Sequence, residues 1–122
     1  MLKNKMLMIS GSRGSGKTFS ALLYASKMAY PLVVRDKRMV KYVRTLANAT
    51  NIPLTKEPIT FKEYAKICKR EFGESNDELE FGYVVDELQD FERSFSDVKL
   101  LNCQAYTCTL VESFFKNEKW GK

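Results

Sequence analysis

The residues best suited to chemistry lie in a glycine-rich run. Residues 11–18 match the pattern G-x-x-x-x-G-K-[ST] at every fixed position. A loop of this kind wraps an anion with its backbone N–H groups, which requires dihedral angles that glycine adopts at little cost. Lys17 would reach the β- and γ-phosphates of a nucleotide, and the Thr18 hydroxyl would be a ligand for Mg²⁺. The residues expected to bind phosphate are Gly11, Ser12, Arg13, Gly14, Ser15, Gly16, Lys17 and Thr18.

A pair of acidic residues forms the second candidate group. The strand-like residues 81–85 end at Asp86 and Glu87. Beside a phosphate-binding loop, the metal needs an acidic partner at the tip of a neighbouring strand, and Asp86 suits that role. Glu87 would then orient or deprotonate an attacking water, as general-base chemistry requires. Two adjacent acids in a solvated loop look the same, so the assignment depends on the glycine-rich loop upstream.

The elements that would position these groups alternate between strands and helices. Short apolar runs predict strands at residues 5–10, 32–34 and 81–85, and a further short strand could lie at 59–61. Helical spacing predicts helices at residues 17–29 and 62–72 and a third whose apolar stripe runs from 39 to 47. This alternation favours an α/β fold, a three-layer sandwich with a small, mainly parallel sheet. We expect residues 1–122 to form a single domain.

Two of the predicted helices carry capping signals. Asp36 is placed to cap the helix that contains the 39–47 stripe. Thr60 and Glu63 have the spacing of a capping box before the helix at 62–72. In a capping box each side chain accepts a hydrogen bond from the backbone N–H of the other residue.

Composition excludes several kinds of site. The chain has no histidine, which removes every mechanism that needs a histidine base or a Ser-His-Asp triad. Its three cysteines form no C-x-x-C pair, which argues against a zinc site and a disulfide framework and favours a reducing cytosol. The apolar runs are too short to cross a bilayer. We therefore expect no membrane partner and a cytoplasmic location, in the host cytoplasm if the protein is viral.

Together the two motifs resemble those of P-loop NTPases of the additional-strand, catalytic-glutamate class. Residues 85–90, Val-Asp-Glu-Leu-Gln-Asp, are similar to the D-E-x-Q-D segment of superfamily-one DNA helicases. In those helicases the acids serve Mg²⁺ and water, and the glutamine helps to couple the nucleotide state to the rest of the motor. The resemblance thus implies that Gln89 belongs to the nucleotide site. The glycine-rich loop equally resembles that of phage terminase ATPases, which package DNA.

The resemblance implies an abbreviated RecA-like core. In this class a strand that comes later in the sequence lies between the P-loop strand and the acidic strand, and only residues 98–111 could supply it. Periodicity does not decide their structure. Ser94 and Asp97 could start a helix through residue 101, and residues 106–111 could be a strand or continue that helix. A complete superfamily-one helicase also has a second RecA-like domain, so we expect a stripped-down ATPase domain, of the kind small phage genomes carry.

Three hypotheses about function follow from these features. The first is a Mg²⁺-dependent ATPase in viral or phage DNA replication, recombination or packaging, with Lys17 and Glu87 catalytic and Thr18 and Asp86 on the metal. The second is a nucleotide-gated binding protein that hydrolyses little. The third is a small nucleoside or nucleotide kinase, because thymidine kinases carry a similar D-E-x-Q segment. ATP and Mg²⁺ are the expected cofactors.

Other residues bear on partners. The chain carries a net charge of +5, and two basic clusters on predicted helices could follow the phosphates of DNA or be ordinary solvated faces. Arg13 could touch phosphate or a neighbouring subunit, and Arg93 could act in trans as an arginine finger. Aromatic residues near residue 120 could be core or an oligomer contact, and we expect a homo-oligomer or a protein partner. The basic clusters are Lys37, Arg38, Lys41 and Arg44, then Lys62, Lys66, Lys69 and Arg70; the aromatic residues are Phe114, Phe115 and Trp120.

Overall fold

The computed structural model describes residues 6–12, 16–72 and 82–109. Arg13, Gly14 and Ser15 of the glycine-rich loop lie outside these described residues, as do Phe114, Phe115 and Trp120. The strands are β1 (Leu7–Gly11), β2 (Leu32–Val34), β3 (Ile59–Thr60), β4 (Tyr83–Val85) and β5 (Cys103–Thr109). The helices are α1 (Lys17–Met28), α2 (Lys37–Ala49), α3 (Phe61–Phe72) and α4 (Leu88–Ser94).

The strands of the described residues form one sheet in the order β1-β5-β4-β2-β3. Every neighbouring pair is parallel, so the parallel sheet that the sequence predicted is confirmed. β5 pairs with β1 on one side and with β4 on the other. The sequence left residues 98–111 open between strand and helix; the structure forms a strand there, at Cys103–Thr109, between the loop strand and the acidic strand.

Buried residues on the two faces of the sheet form two separate hydrophobic clusters. Val34 and Val84 pack with residues of α1 and α2, whereas Val33 and Val85 pack with residues of α3 and α4. Successive residues of a strand point to opposite faces, so a strand buried on both faces reads as a continuous apolar run. The sheet thus lies between two layers of helices, in an α/β sandwich.

Both predicted helix caps are present. The backbone N–H of Met39 donates to Asp36 Oδ1 at 3.0 Å at the start of α2. At the start of α3, the N–H of Glu63 donates to Thr60 Oγ1 at 3.2 Å and the N–H of Thr60 donates to Glu63 Oε1 at 2.8 Å. These side chains satisfy N–H groups that have no partner inside the helix, which is why the helices begin at these points.

The stretch after Glu87 differs from the sequence prediction. Residues 88–94 form α4, where no helix was predicted. The helix that Ser94 and Asp97 could have started is absent, because the described residues 95–102 contain no helix. α4 follows a left-handed residue, Glu87, and buries Leu88 and Phe91 against the sheet. This burial depends on contacts distant in sequence, so local periodicity did not reveal it.

Tyr64 explains why the chain before β5 is not helical. Its side-chain hydroxyl donates to the carbonyl oxygen of Leu101 at 2.7 Å and accepts from the N–H of the same residue at 3.0 Å. Both backbone groups are thereby satisfied without a helix. Tyr64 is fully buried, and burial raises the pKa of its hydroxyl well above the ordinary tyrosine value, so the group stays neutral.

We expect Tyr64→Phe to lower the free energy of unfolding by about 1–3 kcal/mol, because it leaves two buried backbone groups without their side-chain partner. Urea denaturation followed by circular dichroism measures the change. Tyr42→Phe is the matched control, since Tyr42 is exposed on α2. Equal unfolding midpoints for the two variants would contradict the structural role of the Tyr64 hydroxyl.

Candidate functional site

The candidate site lies at the edge of the sheet where the parallel strands end. β1 ends at Gly11 and leads into the glycine-rich loop, β4 leads directly into Asp86 and Glu87, and the last described residue of β5 is Thr109. The carboxyl ends of parallel strands meet at one edge, which is where open α/β sheets bind ligands. The sheet order therefore brings together groups that lie far apart in the sequence.

The described part of the loop places Lys17 at the start of α1. Gly16 caps this helix with φ +85°, a left-handed conformation that glycine adopts without strain. The Lys17 side chain is only 6% exposed, its Nζ donates to the carbonyl oxygen of Ser12 at 3.2 Å, and it lies 3.9 Å from Glu87 Oε2. A buried ammonium beside the N-terminus of a 12-residue helix is suited to an anionic ligand.

Asp86 is a nearly buried carboxylate, 2% exposed, between two hydroxyl groups. Thr107 Oγ1 donates to its Oδ1 at 2.7 Å, and Thr18 Oγ1 lies 3.2 Å from its Oδ2. Burial raises the pKa of Asp86, and the hydrogen bonds from Thr107 and Thr18 only partly offset that rise. A carboxylate whose ionised form is disfavoured by burial gains stability when a cation joins it.

Glu87 is held in an unusual conformation beside Asp86. Its backbone is left-handed, with φ +62°, and its N–H donates to Thr107 Oγ1 at 2.7 Å. Its carboxylate accepts from Gln89 Nε2 at 2.6 Å and from Thr109 Oγ1 at 2.7 Å and 2.9 Å. Burial alone would raise the pKa of Glu87, but these hydrogen bonds and the nearby charge of Lys17 outweigh it and hold the pKa below its usual value.

Thr107 and Thr109 are site residues that the sequence interpretation missed. The two hydroxyls stand two residues apart on β5, and this spacing places them on the same face of the strand. The Thr-x-Thr spacing is a signal only if residues 98–111 form the strand between the loop strand and the acidic strand, and the sequence left that open. It was overlooked because the secondary structure of that stretch was left open.

The segment after Glu87 contributes further polar contacts. Gln89 donates to Glu87, but its Oε1 is buried and has no hydrogen-bond partner among the described residues. Asp90 lies 4.0 Å from the Arg35 guanidinium and 3.3 Å from that of Arg93. Arg93, the candidate finger, thus pairs within its own chain, although its side chain is 75% exposed.

The donor set suits a hard cation that is shared with a ligand. Asp86 and Thr18 supply a carboxylate and a hydroxyl oxygen within hydrogen-bond distance of each other. Among the described residues there is no group of three or more His, Cys, Asp or Glu side chains that could hold a metal ion on its own. Mg²⁺ typically takes one or two protein oxygens and completes its shell with water and substrate phosphates, so these residues fit that ion.

The two predicted basic clusters are separated by the sheet. α2 carries Lys37, Arg38, Lys41 and Arg44 and packs on one face, whereas α3 carries the second cluster and packs on the other. All four basic residues of α2 are exposed, and Arg44 pairs with Glu57. In the part of the chain that the structure describes, no helix has the length and apolar character needed to span a membrane.

Comparison with known proteins identified no relative of this chain. A scan against models of protein families and searches of curated proteins and of solved structures found no match to this chain. The geometry and chemistry of the site are therefore the basis for inferring its function.

We expect Asp86→Asn to raise the melting temperature in metal-free buffer at neutral pH. The pKa of Asp86 is raised in the folded state, so the folded protein binds more protons and its stability falls as the pH rises. The advantage of the variant should shrink toward acidic pH, where the wild-type carboxyl becomes protonated. Thermal melts with EDTA across this pH range measure the difference.

Asp97→Asn is the control for this measurement, because Asp97 is exposed in the connection before β5. Its melting temperature should follow the wild type at each pH. A lower melting temperature for Asp86→Asn than for the wild type at neutral pH would contradict the assignment of an unfavourable buried charge.

Proposed function

We propose that the protein is a P-loop NTPase of the additional-strand, catalytic-glutamate class, which binds ATP with Mg²⁺ and hydrolyses it. One observation carries the proposal: Thr18 and Asp86, 68 residues apart in the chain, lie within hydrogen-bond distance, with Lys17 and Glu87 beside them. The position of β5 between β1 and β4 supports the same class. These are the side-chain types that phosphoryl transfer to water requires.

Phosphate binding would use groups that already converge at the start of α1. Gly16 and the first N–H groups of the helix present positive potential to an anion. Lys17 would exchange its contacts with Ser12 and Glu87 for contacts with phosphate oxygens. A buried ammonium contributes more to such binding than an exposed one, because water screens it less.

Thr18 and Asp86 would hold the magnesium ion. When bound, Mg²⁺ neutralises negative charge on the phosphates. Asp86 suits this role because its carboxylate has no lysine or arginine partner within 4.0 Å among the described residues. A metal ion would therefore supply the positive charge that the carboxylate lacks. Thr107 keeps the carboxylate in place by donating to Oδ1.

Glu87 would activate the attacking water. An ionised carboxylate accepts the proton of the water as its oxygen attacks the terminal phosphorus, and the bond from that phosphorus to the leaving diphosphate breaks. The hydrogen bonds from Gln89 and Thr109 and the charge of Lys17 hold the pKa of Glu87 below its ordinary value, which favours the ionised form. A carboxylate that already accepts several hydrogen bonds is a weak base, so Glu87 must lose some of these partners during the reaction.

The weak basicity of the hydrogen-bonded Glu87 carboxylate favours a second candidate, a nucleotide-gated binding protein with little hydrolysis. Its specific support is that Gln89 and Thr109 both donate to the Glu87 carboxylate. If these contacts persist with ATP bound, the protein would hold nucleotide as a switch. Turnover under saturating ATP separates the two candidates.

The proposed context is DNA replication, recombination or packaging, with a second copy or another protein completing the assembly. The resemblance of residues 85–90 to a helicase segment and the exposed basic residues of α2 support a DNA partner. The proposal of a protein partner is supported by β1, which is at the end of the described sheet and exposes 47% of Leu7 and 56% of Met8. Parallel sheets are normally covered on both faces.

We expect Lys17→Ala to weaken ATP binding about 100-fold or more, because it removes a charge-assisted hydrogen-bond donor from the phosphate site. Lys41→Ala is the matched control, since Lys41 is exposed on α2. Titration calorimetry with ATP and Mg²⁺ measures both. Equal affinities for the two variants would exclude Lys17 from phosphate binding.

We expect Glu87→Gln to bind ATP at least as tightly as the wild type and to lower turnover by about 10²–10⁴-fold, the usual contribution of a general base. Release of phosphate from ATP measures turnover, and Glu92→Gln on the exposed side of α4 is the control. Normal turnover in Glu87→Gln would rule out the catalytic role of Glu87. Very slow turnover in the wild type as well would favour the switch over the enzyme.

We expect DNA to stimulate ATP turnover if the protein acts in a DNA motor. The assay compares single-stranded DNA, double-stranded DNA and no DNA, on protein whose mass in solution has been measured. Because phosphate contacts release counterions, the stimulation should fall steeply as salt is raised. If neither single-stranded nor double-stranded DNA changes the rate, the proposed role in DNA metabolism is contradicted, whereas the proposal of ATP hydrolysis is unaffected.

A further inference from the structure

Both oxygens of the Glu87 carboxylate already have hydrogen-bond or ion-pair partners. Oε1 accepts from Gln89 Nε2 at 2.6 Å and from Thr109 Oγ1 at 2.7 Å. Oε2 lies 2.9 Å from the same hydroxyl and 3.9 Å from Lys17 Nζ. Both oxygens therefore face donors, and the carboxylate points toward the ammonium that the proposed function assigns to phosphate.

We propose that Glu87, clamped by Thr109, acts as an internal anion at the phosphate site and that a nucleotide must displace it from Lys17. This inference rests on the proposed function and deepens it by assigning a role to Thr109. Thr109 is a positioning residue: its hydroxyl acts through Glu87. The resting protein then keeps the catalytic acid hydrogen-bonded to Thr109 and Gln89 and keeps the phosphate-binding ammonium in an ion pair.

Burial of Lys17 explains why an internal anion is needed. Its side chain is 6% exposed, and a buried ammonium is costly unless it is paired. The carbonyl oxygen of Ser12 satisfies one donor but carries no full charge. Among the described residues, Glu87 is the only acidic side chain within 4.0 Å of Lys17, so it is the group that balances the charge.

The Gln89 amide indicates that this arrangement is a compromise. Exchanging its nitrogen and oxygen would bring two acceptors to 2.6 Å, so the Nε2 must face Glu87. That orientation leaves Oε1 buried without a partner, which is unfavourable. We infer that Gln89 Oε1 gains a hydrogen-bond donor in another state of the site, such as the nucleotide-bound state.

Displacement follows from like charges. A phosphate that reaches Lys17 competes with Glu87 Oε2 for the same ammonium and repels the carboxylate. The hydrogen bond from Thr109 to the Glu87 carboxylate opposes this displacement, and the negative charge on the acceptor strengthens that bond. Removing the Thr109 hydroxyl therefore makes Glu87 easier to displace, and nucleotide binding becomes tighter.

The test measures equilibrium binding of ADP and of a non-hydrolysable ATP analogue, without Mg²⁺, by titration calorimetry. We expect Thr109→Val to bind ADP about fivefold more tightly than the wild type, which is part of the strength of one charged hydrogen bond. Thr109→Ser keeps the hydroxyl and should restore the wild-type affinity. Thr45→Val, at an exposed position of α2, should match the wild type.

A double-mutant cycle separates this role from a structural one. Glu87→Gln removes the internal anion and should tighten ADP binding about tenfold, since only the neutral amide remains beside Lys17. In that background Thr109→Val should add nothing, because there is no charge left to clamp. Thermal melts confirm that each variant is folded before its affinity is compared.

The outcomes are distinct from those that test hydrolysis. Tightening by Thr109→Val that disappears in the Glu87→Gln background supports the internal anion. Unchanged or weaker binding by Thr109→Val, or an equal effect in both backgrounds, overturns it. If the wild type binds ADP but never hydrolyses ATP, the enzymatic proposal fails while the affinities still decide the role of Thr109.

Discussion

The hydroxyl of Thr107 is the contact on which the rest of the site depends. It donates to Asp86 and accepts from the N–H of Glu87, so one side chain of β5 positions both acids after β4. Thr107 is wholly buried, and its single proton is used on Asp86. A buried carboxylate without such a donor would be strongly disfavoured. The pairing of β4 with β5 therefore determines the positions of Asp86 and Glu87 more than the backbone turn after β4 does.

The same pairing sets the distance between the two strands that lead into the candidate site. With β5 between them, β1 and β4 are two strand spacings apart, about 10 Å. β5 fills this interval, so its side chains lie between the end of β1 and the two acids. α1 packs on β5, which places Lys17 and Thr18 beside the acids, and Thr107 and Thr109 of β5 donate hydrogen bonds to those acids.

Charge balance at this edge of the sheet is incomplete in the resting protein. Lys17 and Glu87 offset each other, whereas Asp86 is held by hydroxyl groups alone and has a raised pKa. The left-handed backbone of Glu87 and the unpartnered Oε1 of Gln89 add local strain. Stored strain and unmatched charge at one place are typical of functional sites, because a ligand relieves what the fold alone leaves unfavourable. These features fit the proposed binding of a nucleotide with its metal.

Much of this protein was readable from local sequence. The apolar strands, the Asp36 cap and the Thr60–Glu63 capping box depend on neighbours within a few residues, and the structure contains the corresponding elements. The sequence also singled out Lys17, Thr18, Asp86 and Glu87 as candidates by residue type and spacing, and the structure brings their side chains together. α4 and the course of residues 95–102 were not readable, since they depend on burial of Phe91 and on the hydroxyl of Tyr64. Only the tertiary structure decided that Thr107 and Thr109 hold the two acids, because a hydroxyl on a strand acquires a role from the strand beside it.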